Sequence, residues 1–212
     1  MYLGAIIVEI ACLDLEGVLI PEVWIAFSES TGIQELRATT RDIPDYDVLM
    51  QQRLKILNQN KLTIYDIQKV IGRMEPLPGA ISFLEWLQER FQVIILSDTF
   101  YEFSEPFMRK LSWPTLFCHS LITDSIGNVI DYKLRQPDPK RKSVKALHSL
   151  KYRVIAAGDS YNDITMLKEA DVGILFHAPE NVIKEFPQFV SVQDFDLLRK
   201  SFIASSNRSI RL

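Results

Sequence analysis

Four continuous apolar runs punctuate the chain: Ile7 to Leu13, Val93 to Leu96, Val154 to Ala157 and Val172 to Phe176. Amphipathic segments of helical length lie between them, such as Ala80 to Arg90 and Ser143 to Leu150. A strand that is apolar at every position is covered on both faces, and such strands alternating with helices build a parallel sheet. The pattern predicts an α/β protein with a Rossmann-like open parallel sheet. The long interval between the first two runs does not read as one crossover helix. An amphipathic stretch starts at Pro21-Glu22 and continues through Phe27, and Asp45 to Asn58 carries Val48, Leu49, Leu54 and Leu57, with Arg53 on a neighbouring face. Thr63, with Asp66 three positions on, has the form of a capping box for a helix through Met74. Pro76, Pro78 and Gly79 then break the pattern. The expected organisation is a small helical insertion, residues 22–75, set into an α/β core of residues 1–21 and 76–212. Farther on, Leu121 to Thr123 and Val129 to Tyr132 flank Gly127-Asn128, as in a β-hairpin. The polar tail Ser205 to Ser209 is expected to fray.

The residues that close these runs turn the picture from fold to chemistry. The first run ends at Asp14, the second at Ser97-Asp98 and the third at Gly158-Asp159. Open parallel sheets bind ligands outside the carboxyl ends of their strands, so three such ends together make a site. Asp14 and Glu16 are two residues apart, and the period of a strand would point both the same way. That suits a covalent nucleophile and a general acid/base, although a lone D-x-E is common in solvated loops. Asp159 and Asp163 stand four apart where a helix begins, and carboxylates beside Asp14 suit a hard cation such as Mg2+. The plainer alternative is a helix N-cap with loop acids. Ser97 and the Asp98 backbone N–H would donate to a transferring phosphoryl group, the plainer alternative being a strand-terminating turn. Among Lys133, Arg135, Lys140, Arg141, Lys142 and Lys145, one lysine would neutralise phosphoryl charge and the rest form a solvated face. Lys140 and Lys142 are not separable on this ground. His119, His148 and His177 show no ligand spacing and are assigned structural or surface roles, and Trp24, Trp86 and Trp113 are assigned to core or cap packing.

Composition narrows the partners. The 212 residues are 47% apolar and 24% charged with a net charge of -3, which argues against broad nucleic-acid binding. No stretch reaches the ~18 apolar residues of a membrane span. The opening segment has no basic start, carries Glu9 and lacks a small-residue cleavage site, so it does not read as a signal peptide. Two cysteines, Cys12 and Cys118, are too few for a disulfide framework, and Cys12 is expected to be buried and inert. A cytoplasmic enzyme acting on a small molecule is expected. The oligomeric state stays open, a homodimer included.

Together these residues resemble the haloacid dehalogenase-like superfamily of phosphotransferases over essentially the whole chain. Asp14 and Glu16 match its first motif, Ser97 the second, Lys140 the third, and Asp159 with Asp163 the fourth. The resemblance implies an aspartyl phosphate on Asp14, with Glu16 as acid/base. It also implies Mg2+ on the Asp14 carboxylate, the Glu16 backbone carbonyl and Asp159, with Asp163 behind them or acting through water. The position of the insertion, between the first and second motifs, resembles the small helical cap of the phosphoserine phosphatase branch, which would make residues 22–75 a cap on a catalytic core. By that resemblance Glu22 would meet the substrate ammonium and Arg53 its carboxylate. Ser97, Asp98, Lys140 and Asn162 would line the phosphate end. Two positions depart from the usual pattern: Glu16 replaces an aspartate, and Val18 replaces a threonine or serine. With Thr39-Thr40-Arg41-Asp42-Ile43-Pro44-Asp45-Tyr46-Asp47 in the cap, the pattern is similar to the bacterial group that hydrolyses phosphoserine and also passes its phosphoryl group to homoserine. Both departures are expected beside the acceptor. The alternatives are a phosphatase for another small phosphomonoester and a non-catalytic phospho-acceptor module, which would need neither the cap nor Glu16.

Overall fold

The structure, a computed structural model, describes residues 8–40, 42–43 and 45–208. Among them, seven strands form one sheet: β1 (Glu9–Leu13), β2 (Gln92–Phe100), β3 (Thr115–Thr123), β4 (Val129–Lys133), β5 (Arg153–Gly158), β6 (Val172–Phe176) and β7 (Val190–Val192). Their order is β4-β3-β2-β1-β5-β6-β7, parallel throughout except for the β3–β4 hairpin. The helices are α1 (Val23–Thr31), α2 (Tyr46–Gln59), α3 (Ile64–Ile71), α4 (Ala80–Gln88), α5 (Tyr101–Lys110), α6 (Pro139–Ser149), α7 (Ile164–Glu169), α8 (Glu180–Glu185) and α9 (Phe195–Ser205).

The central strand shows why its sequence is apolar at every position. All five residues of β1 are buried. The pleat sends Ala11 and Leu13 to one face, with Ile95, Ile155 and Ile174, and Ile10 and Cys12 to the other, with Leu96, Val154 and Leu175. Phe83 and Leu87 of α4 and Phe202 of α9 cover the first face. Val144 of α6, Met166 of α7 and Val182 of α8 cover the second. Cys12 lies within that layer, where burial pushes its thiol up to about 12.

The four predicted strands and the hairpin form, with shifted bounds. Ile7 lies outside the described residues, β2 continues to Phe100, and β3 starts at Thr115 because its first half pairs in parallel with β2. Helix α6 begins at Pro139 rather than Ser143, and α3 stops at Ile71 rather than Met74, just before Gly72. The helix expected to begin at Asp159–Asp163 is α7, which starts at Ile164 after a 3-10 turn; strand β7 and helices α5, α8 and α9 carry no sequence expectation.

Residues 22–75 hold α1, a 3-10 turn at Gln34–Arg37, α2 and α3. The capping box of α3 is made, with the Thr63 N–H donating to Asp66 at 2.8 Å. These helices dock on the hairpin: the Ile64 N–H donates to Gly127 O at 2.8 Å, and the Tyr132 hydroxyl bonds Asp47. Trp24, Phe27, Leu57 and Ile67 join the same apolar cluster as the first sheet face.

Two expectations fail. The tail is anchored through Arg208, because Ser206 Oγ, the Asn207 N–H and Arg208 Nε all bond the buried Glu9 carboxylate; Ser209 lies outside the described residues. Trp113 is 62% exposed and packs in no core, whereas Trp86 stacks on Phe83. Among the described residues, no helix is long and apolar enough to cross a membrane.

Candidate active site

Strand β1 stops at Leu13, and the Asp14 N–H donates to Ala157 O at 3.0 Å, which fixes Asp14 at the carboxyl edge of the sheet. The chain then turns back, with the Leu19 and Ile20 N–H groups both donating to Leu15 O. Gly17 makes the turn possible. Its φ is +79°, and a Cβ there would sit 2.7 Å from the Asp159 carboxylate. Asp14 and Glu16 are therefore not brought together by strand periodicity, because the strand has already ended. They share a pocket because the turn aims Glu16 Oε2 at the Val23 N–H, 2.9 Å away at the start of α1. Val18 is fully buried in the apolar cluster and does not line that pocket, so only the Glu16 departure stands beside the site.

Lys140 occupies the first turn of α6, where a cation opposes the helix dipole. Carboxylates compensate. Its Nζ lies 2.7 Å from Asp163, 2.9 Å from Asp14 and 3.7 Å from Asp98. Burial alone would lower the Lys140 pKa, but these three charges hold it well above its ordinary value. Lys142 is exposed on the same helix, so the geometry separates the two lysines.

Asp163 is not presented by a regular helical turn. Residues Tyr161–Asp163 form a short 3-10 turn, and the carboxylate folds back onto the N–H groups of Asp159 (2.9 Å) and Ser160 (3.2 Å). Its other oxygen accepts from Lys140, so Asp163 orients the lysine and the Asp159 loop.

Asp14, Asp159 and Asp163 each offer a carboxylate oxygen, all within 4.8 Å of one another and all buried. Burial, then the Asp163 charge, push the Asp14 carboxyl well above the ordinary range against the pull of Lys140. Three carboxylates, of Asp14, Asp98 and Asp163, face one ammonium, and Asp159 adds a further one to the cluster. This all-oxygen, anionic donor set fits a hard divalent cation, which would offset the repulsion among the carboxylates. Beside it, burial and the Glu22 charge push the Glu16 carboxyl up to about 7.

Helix α2 contributes Arg53, which is buried with its guanidinium carbon 4.4 Å over the Trp24 ring. Nη2 donates to Ala38 O at 3.0 Å, whereas Nε has no hydrogen-bond partner among the described residues. Glu22 lines the same pocket. From β2, Ser97 Oγ accepts the Thr99 N–H at 3.3 Å, which leaves its own proton free to donate. Asn162 Nδ2 donates to Asp98 at 2.8 Å.

The structure thus gathers Asp14, Glu16, Glu22, Arg53, Ser97, Asp98, Asp159 and Asn162 around one pocket, with Lys140 and Asp163 bonded to each other beside Asp14. Trp24, Thr39, Thr40 and Tyr46 also line it. The sequence assigns Trp24 to packing alone, but it is also the platform under Arg53. Arg41 and Pro44 of the cap pattern lie outside the described residues. His119, assigned a structural or surface role from the sequence, is buried with Nε2 3.3 Å from Asp98, and no spacing along the chain signals that contact.

A profile of haloacid dehalogenase-like hydrolases matches residues 8–171. The chain is 68% identical over 209 residues to a phosphoserine phosphatase of Pseudomonas syringae pv. tomato, covering 99% of this chain and 88% of that one. It is 65% identical over 204 residues to phosphoserine phosphatase ThrH of Pseudomonas aeruginosa, covering 96% of this chain and all of the other. A crystal structure of a phosphoserine phosphatase in apo form shares the fold with a TM-score of 0.74 at 22% identity, over 92% of this chain and 98% of that one.

Proposed function

The chain belongs to the haloacid dehalogenase-like hydrolase family, and from that premise we propose that it hydrolyses phosphoserine through an aspartyl phosphate and can transfer the phosphoryl group to homoserine. The observation that carries the substrate assignment is Arg53. A buried guanidinium with an unsatisfied Nε, opening on the same pocket as Asp14, is a cost of about 1–3 kcal/mol that a bound carboxylate would remove. Glu22 is the matching acceptor for an ammonium. An amino-acid phosphate carries both groups. In this reading residues 22–75 are the cap that closes over the substrate, and residues 1–21 and 76–212 are the core that performs the chemistry.

Asp14 Oδ attacks phosphorus, and the bond from phosphorus to the serine oxygen breaks as the Asp14–phosphorus bond forms. Glu16, with a pKa near neutrality, donates its proton to the departing serine oxygen. It then takes a proton from the incoming hydroxyl, of water or of homoserine, as that oxygen displaces Asp14 from phosphorus. Lys140, Ser97 and Asn162 hold the phosphoryl oxygens, and the closed cap limits access of bulk water. Mg2+ would be held by the Asp14 carboxylate, the Glu16 carbonyl and Asp159, where it supplies positive charge to the phosphoryl oxygens.

Homoserine carries the same ammonium and carboxylate as serine, so its recognition needs no further group. The test is turnover with Mg2+ across phosphoserine, phosphothreonine, phosphoethanolamine and sugar phosphates, repeated with rising homoserine. Phosphoserine should be preferred, and phosphohomoserine should appear at the expense of inorganic phosphate. Inhibition by homoserine without phosphohomoserine would reduce the activity to hydrolysis, and preference for a phosphate lacking the ammonium or carboxylate would overturn the roles of Glu22 and Arg53.

A further inference from the structure

Asp98 poses an electrostatic problem. It follows Ser97 on β2, beside the place where a phosphoryl dianion would sit, yet its side chain is itself an anion. The geometry shows where that charge is directed. One carboxylate oxygen meets His119 Nε2 at 3.3 Å; the other accepts from Asn162 Nδ2 at 2.8 Å and lies 3.7 Å from Lys140 Nζ. His119 has only one tautomer that fits, because the Arg135 backbone N–H donates to Nδ1 at 3.2 Å. The ring proton is then on Nε2 and is donated to Asp98. The imidazole cannot turn freely: it is 2% exposed and edge-on to Tyr46 and Phe100, with centroids 6.0 and 6.1 Å away. Tyr46, from α2, also donates its hydroxyl to the Asp98 backbone oxygen at 2.9 Å.

We propose that Asp98 and His119 are a positioning pair that fixes Lys140 and Asn162 for phosphoryl transfer, an inference that rests on the reaction proposed at Asp14. Among the described residues, without Asp98 the ammonium is drawn only toward Asp14 and Asp163, and the Asn162 amide keeps a single tether, Ser160 Oγ at 2.5 Å. Without the His119 N–H, one oxygen of Asp98 loses its donor and the carboxylate can rotate about its last bond. Phosphoryl transfer depends on placement and electrostatic stabilisation rather than on covalent help from such groups. A misplacement of about 1 Å is worth about 10²-fold in rate.

The test compares the full-length parent with Asp98→Asn, His119→Leu and His119→Gln, each with Mg2+ and phosphoserine. Asp98→Asn should lower kcat by about 10²-fold with KM changed less than about threefold, because the placement of Lys140 matters most in the transition state. His119→Leu should lose about tenfold or more in kcat, and His119→Gln, whose side-chain N–H can replace Nε2–H, should recover to within about threefold of the parent. Orthovanadate, which adopts the five-coordinate geometry of transfer, should weaken in parallel with kcat/KM, whereas competitive inhibition by inorganic phosphate should change little. A fall in thermal stability with kcat and vanadate affinity unchanged would make the pair a structural buttress and overturn the inference. Equal losses in His119→Leu and His119→Gln would do the same. If Asp98→Asn does not fold, the two His119 variants decide. If the parent prefers another phosphomonoester, the substrate assignment fails, and the same comparison on that ester still tests the pair.

Discussion

At the scale of single residues, the site is built from groups whose ordinary chemistry has been displaced by their surroundings. Lys140 stays charged at the wrong end of a helix because Asp14, Asp163 and Asp98 surround it. Glu16 titrates near neutrality because burial and Glu22 disfavour its anion. Arg53 is buried against Trp24 with one donor unspent. The planar fork of arginine bonds a carboxylate through two parallel N–H groups, whereas lysine offers a point charge. Arg53→Lys should therefore raise KM for phosphoserine by about tenfold, roughly the loss of one charge-assisted bond. KM for phosphoethanolamine, which has no carboxylate, should change by less than about threefold. Steady-state kinetics on both esters decides it, and equal effects would remove Arg53 from carboxylate recognition.

At the scale of elements, local rules held where both partners are close in sequence and failed where one is distant. Thr63 and Asp66 are three residues apart, so the capping box of α3 was visible in the chain and is present. Helix α5 was not, because Pro106 and a largely polar pattern hide it. The C-terminal tail read as frayed because its order comes from Glu9, at the other end of the chain. Burial alone would raise the Glu9 pKa, but bonds from Ser206, Asn207 and Arg208 outweigh it and hold the carboxyl below the ordinary glutamate range. A lowered folded-state pKa gives stability that is complete above the unfolded value, near ~4.3, and is lost as pH falls through the folded value. Glu9→Gln should cost about 1–3 kcal/mol at pH 7. The gap between parent and variant should shrink as the pH falls through the folded-state pKa, because the parent then also carries a neutral side chain there. Titrations of other groups are common to both proteins and cancel in the difference. Denaturant unfolding across that range checks this, and a gap independent of pH would show that Glu9 acts through shape alone.

At the scale of the whole molecule, the sheet edge holds the Asp14, Asp159 and Asp163 carboxylates within 4.8 Å of one another, so a bound divalent cation should stabilise the fold. At a free Mg2+ concentration about a hundred times its Kd, binding adds about 2.7 kcal/mol. For a chain of this size that raises Tm by roughly 5–10 °C. Chelation should reverse the shift, and Asp159→Asn should abolish most of it. A Tm insensitive to Mg2+ in the parent would argue against a cation among these carboxylates. The amino-acid sequence by itself determined the parallel sheet, because strands covered on both faces must be apolar at every position. It also marked Asp14, Ser97 and Asp159, which the structure brings to one pocket, because each closes or follows an apolar run. It did not distinguish Lys140 from Lys142: residues two apart on a helix face nearly opposite ways, and only the packing of α6 says which way is inward. Nor could it bring Glu16 to Asp14, which depends on a turn closed by Gly17 against Asp159. It could not bring His119 to Asp98 either, because that contact exists only once β3 lies beside β2. Periodicity records which side of an element is buried, whereas contacts between elements are fixed only when the sheet assembles.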